Sequence, residues 1–123
     1  MMKGRLLAAA LAWGLSQGTG AHSIDGNQLA EWLAGKERYE NSAPGSDPLS
    51  WFAYQYYVLG VFDAYSVSEK LTEQYSFCVP DGVTSNQLFD VVAKYLNGNP
   101  EHLHIPAGVL VYVSLQKAFP CPD

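Results

Sequence analysis

Positive charge is scarce in this chain, with 7 Lys and Arg against 12 Asp and Glu in 123 residues and a formal charge of −5. Phosphate backbones and anionic lipid surfaces are held through clustered Lys and Arg, so nucleic acid is a poor partner and a basic protein a reasonable one. Cysteine is rarer still, at 2 residues, and histidine stands at 3. That excludes a disulfide-dense scaffold, and the histidines do not supply with the cysteines the spacing of any common zinc site. No apolar run approaches the roughly 20 residues that span a bilayer. Phosphate-loop and dinucleotide fingerprints are missing, and none of Ser66, Ser68 or Ser114 lies in a Gly-bracketed nucleophile elbow. The chain therefore reads as non-enzymatic, without cofactor or metal.

What is present is apolar and aromatic material, 48% and 13% of the residues, enough for a core in one domain. Its first portion has a separate purpose. Lys3 and Arg5 precede an almost unbroken apolar run at residues 6–15, and the small and polar stretch 16–21 places Thr19 and Ala21 where a signal peptidase reads. The expectation is a secretory signal at residues 1–21, cleaved after Ala21, and a mature domain at 22–123 with no membrane segment. Loss of Lys3 and Arg5 would take the formal charge from −5 to −7. In an exported protein two cysteines read as one disulfide, here Cys78 with Cys121. Joining the middle of the domain to its end stabilises the fold by about 4 kcal/mol in the chain-entropy model.

Punctuation and periodicity predict four helices. Residues 23–39 carry Asp25 as cap, Gln28 in capping-box register, and Leu29, Trp32, Leu33 and Lys36 at helical spacing. After a loop at 40–47, Asp47-Pro48 starts a second helix over 49–71. Apolar residues lie on opposite faces of this helix: Leu49, Phe52, Ala53, Tyr56, Gly60 and Ala64 on one, Trp51, Tyr54, Val58, Val61 and Tyr65 on the other. That pattern places it at the centre of a bundle, with Gly60 marking the close approach of a neighbour. A loop holding Cys78, Pro80 and Gly82 follows. Thr84 and Gln87 open a third helix, with Leu88, Val91, Val92, Tyr95 and Leu96 as its apolar stripe and Gly98 as a left-handed cap. Residues 107–119 have the β-branched density of a strand, but Pro106 at the first position, the length, and Lys117 near the end favour helix. The fold class is all-α, a small four-helix bundle with one disulfide and no internal repeat.

Between the last two helices lies a polar connection carrying Asn99, Glu101, His102 and His104. Two histidines two apart fall on one side of an extended segment and not on one helix face. With Glu101 their only acidic neighbour, they read as solvated loop side chains and not as metal ligands. The aromatic stretch 51–57 reads chiefly as core. As rigid amphipathic anchors these rings also suit an interface, and a second copy of the chain is one way to cover such a face.

Four segments, taken in order, resemble a known family: Tyr57-Val58-Leu59-Gly60-Val61-Phe62-Asp63-Ala64; Phe77-Cys78-Val79-Pro80-Asp81-Gly82-Val83-Thr84; Val91-Val92-Ala93-Lys94-Tyr95-Leu96, followed by Pro100 and His104; and Ala118-Phe119-Pro120-Cys121. Together they are similar to the Rap/Tai-type immunity proteins of type VI secretion, from about Leu49 to the end of the chain. The resemblance implies a periplasmic, mostly helical and often dimeric protein that binds an injected peptidoglycan-cleaving amidase. It implies inhibition by occlusion, a loop filling the toxin's cysteine-histidine active-site cleft, with both cysteines structural. Inhibitory loops share no motif, so the residues assigned to this role come from the connection itself: Asn99, Glu101, His102 and His104. The acidic balance suits attraction to an oppositely charged toxin. The alternative from a different class is a periplasmic helical chaperone or stress-binding module, exposing apolar surface when its carboxylates are protonated.

Overall fold

Asp25, just ahead of the first helix, accepts a 2.9 Å hydrogen bond from the Gln28 backbone N–H, satisfying one of the orphan donors of the first turn. The computed structural model describes residues 23–123; the expected signal at 1–21 and its cleavage site lie outside them. Four α-helices follow: α1 Gly26–Glu40, α2 Pro48–Thr72, α3 Ser85–Gly98 and α4 Ala107–Ala118, with a 3₁₀ turn at Pro100–His102 between the last two. Among the described residues there is no strand, only one isolated bridge between Asp25 and Pro106. The all-α expectation holds, and the segment ambiguous by composition is helical over Ala107–Ala118, with Phe119 as its C-cap.

Each helix start follows from its sequence. Asp47 accepts from the Leu49 N–H at 2.9 Å and from the Ser50 hydroxyl at 3.2 Å, with Pro48 in the first turn. Thr84 and Gln87 form the full reciprocal capping box, at 3.2 and 2.7 Å. At α1 only half of the box forms, because the Gln28 amide turns instead toward Glu31 at 3.4 Å. Gly98 is not a left-handed cap. It remains helical, and Asn99 ends α3 at φ −134°; the Asn99 side-chain amide donates 2.8 Å to the Tyr95 carbonyl, serving the helix end that the glycine was expected to serve.

The core gathers Leu29 and Leu33 from α1, Tyr54 and Val58 from α2, Leu88, Phe89, Val92 and Leu96 from α3, Ala107, Leu110, Val111 and Leu115 from α4, and Phe77 from the intervening loop. Tyr54 is fully buried, and its hydroxyl donates 2.7 Å to the Phe89 carbonyl. Burial pushes its phenol well above the ordinary tyrosine range, and Asp90 and Glu37 add to the effect. The Cys78–Cys121 disulfide spans 43 positions, and beside it the Cys78 N–H donates 2.8 Å to the Phe119 carbonyl.

Two expectations about α2 are corrected. It is not enclosed at the centre of the bundle: of its residues only Tyr54 and Val58 are buried, while Leu49 is 74% and Tyr56 67% exposed. The exposed positions recur at helical spacing from Leu49 to Leu71, so α1, α3 and α4 pack on one side of α2 and leave the other uncovered. Gly60 marks no close approach either, since a Cβ built there would meet nothing within 4 Å. The tight contacts fall at two other glycines. At Gly35 a Cβ would lie 2.7 Å from the Ser50 hydroxyl of α2, and at Gly26 it would lie 2.7 Å from the Leu103 carbonyl oxygen and against Leu110.

Candidate functional site

Gly26 leads directly to the connection at residues 99–106, because its small size lets that segment lie on the start of α1. The Gly26 N–H donates to the Ile105 carbonyl and the Asn27 N–H to the Leu103 carbonyl, both at 2.9 Å. In the reverse direction the first N–H of α4, at Ala107, donates 2.7 Å to the Ile24 carbonyl. Helix N-termini leave such donors unpaired, and here two helices spend them on fixing one loop. Within it the His102 N–H reaches the Asn99 carbonyl at 3.0 Å and the Ile105 N–H the His102 carbonyl at 2.9 Å. Leu103 and Ile105 are half-buried against the core.

The four residues expected to face a partner divide into two pairs. Asn99 and His102 turn back into the fold, Asn99 to the Tyr95 carbonyl and His102 with Nδ1 3.3 Å from the Tyr95 hydroxyl. Glu101 and His104 are exposed and project outward. Glu101 also lies 3.8 Å from His102 Nε2. Because the chain turns here and is not extended, the two histidines have different surroundings. Among the described residues no group of three or more His, Cys, Asp or Glu is placed to hold a metal. Ser114 is buried and its hydroxyl donates 2.7 Å to the Val111 carbonyl of its own helix.

Two further surfaces stand out, the first unmarked in the sequence and the second on the helix whose aromatic stretch already suggested an interface. One is a cleft of about 430 Å³ between α3 and α4, bordered by Val91, Lys94, Tyr95, Asn99, Lys117 and Ala118. Asn99 joins this cleft to the projecting turn. The other is the outer side of α2, where Leu49, Phe52, Tyr56, Val67 and Leu71 are all exposed. Their spacings of three, four or multiples near 3.6 line them along one stripe, with Gly60, Ala64 and the exposed Asp63 between. Phe52 and Tyr56 stack at 6.1 Å, Trp51 and Phe52 meet edge to face at 4.6 Å, and Tyr39 of α1 extends the patch to Trp51 at 5.8 Å. The sequence showed apolar residues on both faces of α2; a helical wheel alone does not say which face stays uncovered.

The described residues form a small all-α domain closed by one disulfide, with a polar turn backed by two helix N-termini, an open cleft and a row of exposed apolar residues on α2. The family model described as Rap1a immunity proteins matches residues 25–121, from the cap of α1 to the second cysteine, and the chain belongs to that family. No curated protein and no solved structure matches it.

Proposed function

We propose that this protein is a periplasmic immunity protein that binds a peptidoglycan-cleaving amidase delivered by type VI secretion and occludes its active site. The observation that carries the reading, beside family membership, is the turn at 99–104. Its backbone is pinned by the N-termini of α1 and α4, while Glu101 and His104 project from it. A wedge of this kind enters a cleft at little ordering cost, because its conformation is set before the encounter. Export through the signal at residues 1–21 brings it to the compartment where the toxin acts. The exposed α2 stripe supports a homodimer, in which a second copy covers Leu49, Phe52, Tyr56, Val67 and Leu71.

The test is to mix the mature oxidised protein with candidate amidase effectors encoded beside it and follow cleavage of purified peptidoglycan. Stoichiometric inhibition with a co-eluting complex is the expected result; undiminished cleavage by every neighbouring effector would sink the reading. The α2 stripe also gives the chaperone alternative a specific observation, since holdases bind through uncovered apolar surface. A pH titration with a hydrophobic dye separates the two: sharp dye binding below about pH 4, near the ordinary carboxyl pKa range, favours the chaperone, and a flat response favours the inhibitor.

A further inference from the structure

We infer that the cleft between α3 and α4 docks a carboxylate-bearing, apolar-flanked segment of the protein partner, an inference that rests on the toxin-binding reading. Beyond residue 22 this acidic chain has Lys36, Arg38, Lys70, Lys94 and Lys117 as its basic side chains. Lys36 is committed to Glu40 at 2.7 Å. Lys94 and Lys117 come from different helices, yet both border the same cleft and are exposed, and among the described residues neither forms an ion pair with a carboxylate.

The cleft is shaped for more than a lone anion. Val91, the Tyr95 ring and Ala118 supply apolar walls, and the Lys117 ammonium lies 5.4 Å from the Tyr95 ring centroid, an attraction that holds it at the mouth. The ends of α3 and α4 also lie here, and their dipoles place about half a negative charge at each terminus. Lys117, in the last turn of α4, offsets that helix's dipole, whereas the last turn of α3 holds no basic residue. The two lysines together carry more positive charge than the two helix ends carry negative, in a chain that is acidic overall. An incoming carboxylate is therefore attracted here, and its apolar neighbours are accommodated by the walls. Since Asn99 belongs to both features, a partner gripping the projecting turn meets the cleft in the same step. A toxin that is basic overall must then bring at least one acidic segment to this position.

A random seven-residue peptide display library, selected on the mature oxidised protein, tests the inference without requiring the toxin. Selected peptides are expected to carry Asp or Glu flanked by Leu, Phe or Tyr. Synthetic copies should bind the Lys94→Gln/Lys117→Gln double variant about five- to tenfold more weakly by fluorescence polarisation and the Lys70→Gln control unchanged. Selection of peptides without acidic residues, no selection at all, or equal binding by the double variant overturns the assignment. A failed peptide selection with intact amidase inhibition rejects the cleft alone; peptide binding that depends on Lys94 and Lys117 with no inhibition rejects the amidase reading alone.

Discussion

The main-chain N–H of Gly26 donates to the carbonyl of Ile105 at 2.9 Å, and there is no room at Gly26 for a side chain. The first residue of the first helix thereby supports a segment nearly 80 positions later in the sequence. Gly26→Ala forces a Cβ onto the Leu103 backbone and is expected to cost about 1–3 kcal/mol. Partner affinity should fall with it, because the turn is displaced. Gly60→Ala meets open space in a helix interior and should stabilise the chain by about 0.5–1 kcal/mol. Thermal melts of both variants check the contrast; equal effects at the two sites would contradict it.

Glu101 and His104 project, whereas Asn99 and His102 are held by Tyr95. Glu101→Ala and His104→Ala should leave the melting temperature nearly unchanged and weaken amidase inhibition about tenfold when combined. Asn99→Ala should instead cost about 0.5–1.5 kcal/mol of stability by removing the amide from the Tyr95 carbonyl. Parallel denaturation and inhibition assays distinguish contact residues from supporting ones.

On α2 the surface substitutions Tyr56→Lys and Leu71→Lys remove no core contact, since these side chains are 67% and 81% exposed. Sedimentation at micromolar concentration should show the parent as a dimer and the double variant as a monomer with similar far-ultraviolet circular dichroism. A monomeric parent would remove the dimer from the functional proposal.

The buried Tyr54 phenol gives the protein an alkaline limit. Its folded pKa lies above its unfolded value of about 10. The neutral hydroxyl therefore contributes its full stability below about pH 10, and this contribution is lost as the pH rises further, because only the unfolded chain then releases the proton. Above about pH 10 this group alone should lower the unfolding free energy by about 1.4 kcal/mol per pH unit. Tyr54→Phe should abolish that part of the slope, while lowering stability near neutrality by about 1 kcal/mol through loss of the bond to Phe89. Urea titrations between pH 8 and 11 measure both.

Reduction of Cys78–Cys121, or replacement of both by Ser, is expected to cost about 4 kcal/mol from chain entropy. The loss should appear as a lower urea midpoint with the helical spectrum retained in the absence of denaturant.

The helices were legible because their signals are local. Asp47-Pro48, the Thr84–Gln87 box and the α3 stripe each fix a boundary within a few residues, and the cysteine pair needed only a count and the expectation of export. What escaped depends on which helix lies over which. Gly60 and Gly26 look alike in sequence, yet only the second has another segment on top of it. Aromatics on both faces of α2 did not show that three shorter partners would cover one face only. In the candidate site, the location of the connection was readable from its prolines and polar residues, but its division into projecting Glu101 and His104 and inward Asn99 and His102 required the turn itself. Lys94 and Lys117 sit 23 positions apart, and nothing local marks them as two sides of one cleft.

Residues 78–121 form a covalent ring that contains α3, the projecting turn and α4, while α1 and α2 lie outside it. A single protease cut in the exposed turn opens that ring without releasing a fragment, so both new ends stay tethered to the domain. The α1 and α4 bonds on either side then act on tethered pieces, which favours their return to place over dissociation. One cut in that turn would therefore interrupt the chain while leaving every part of the domain attached.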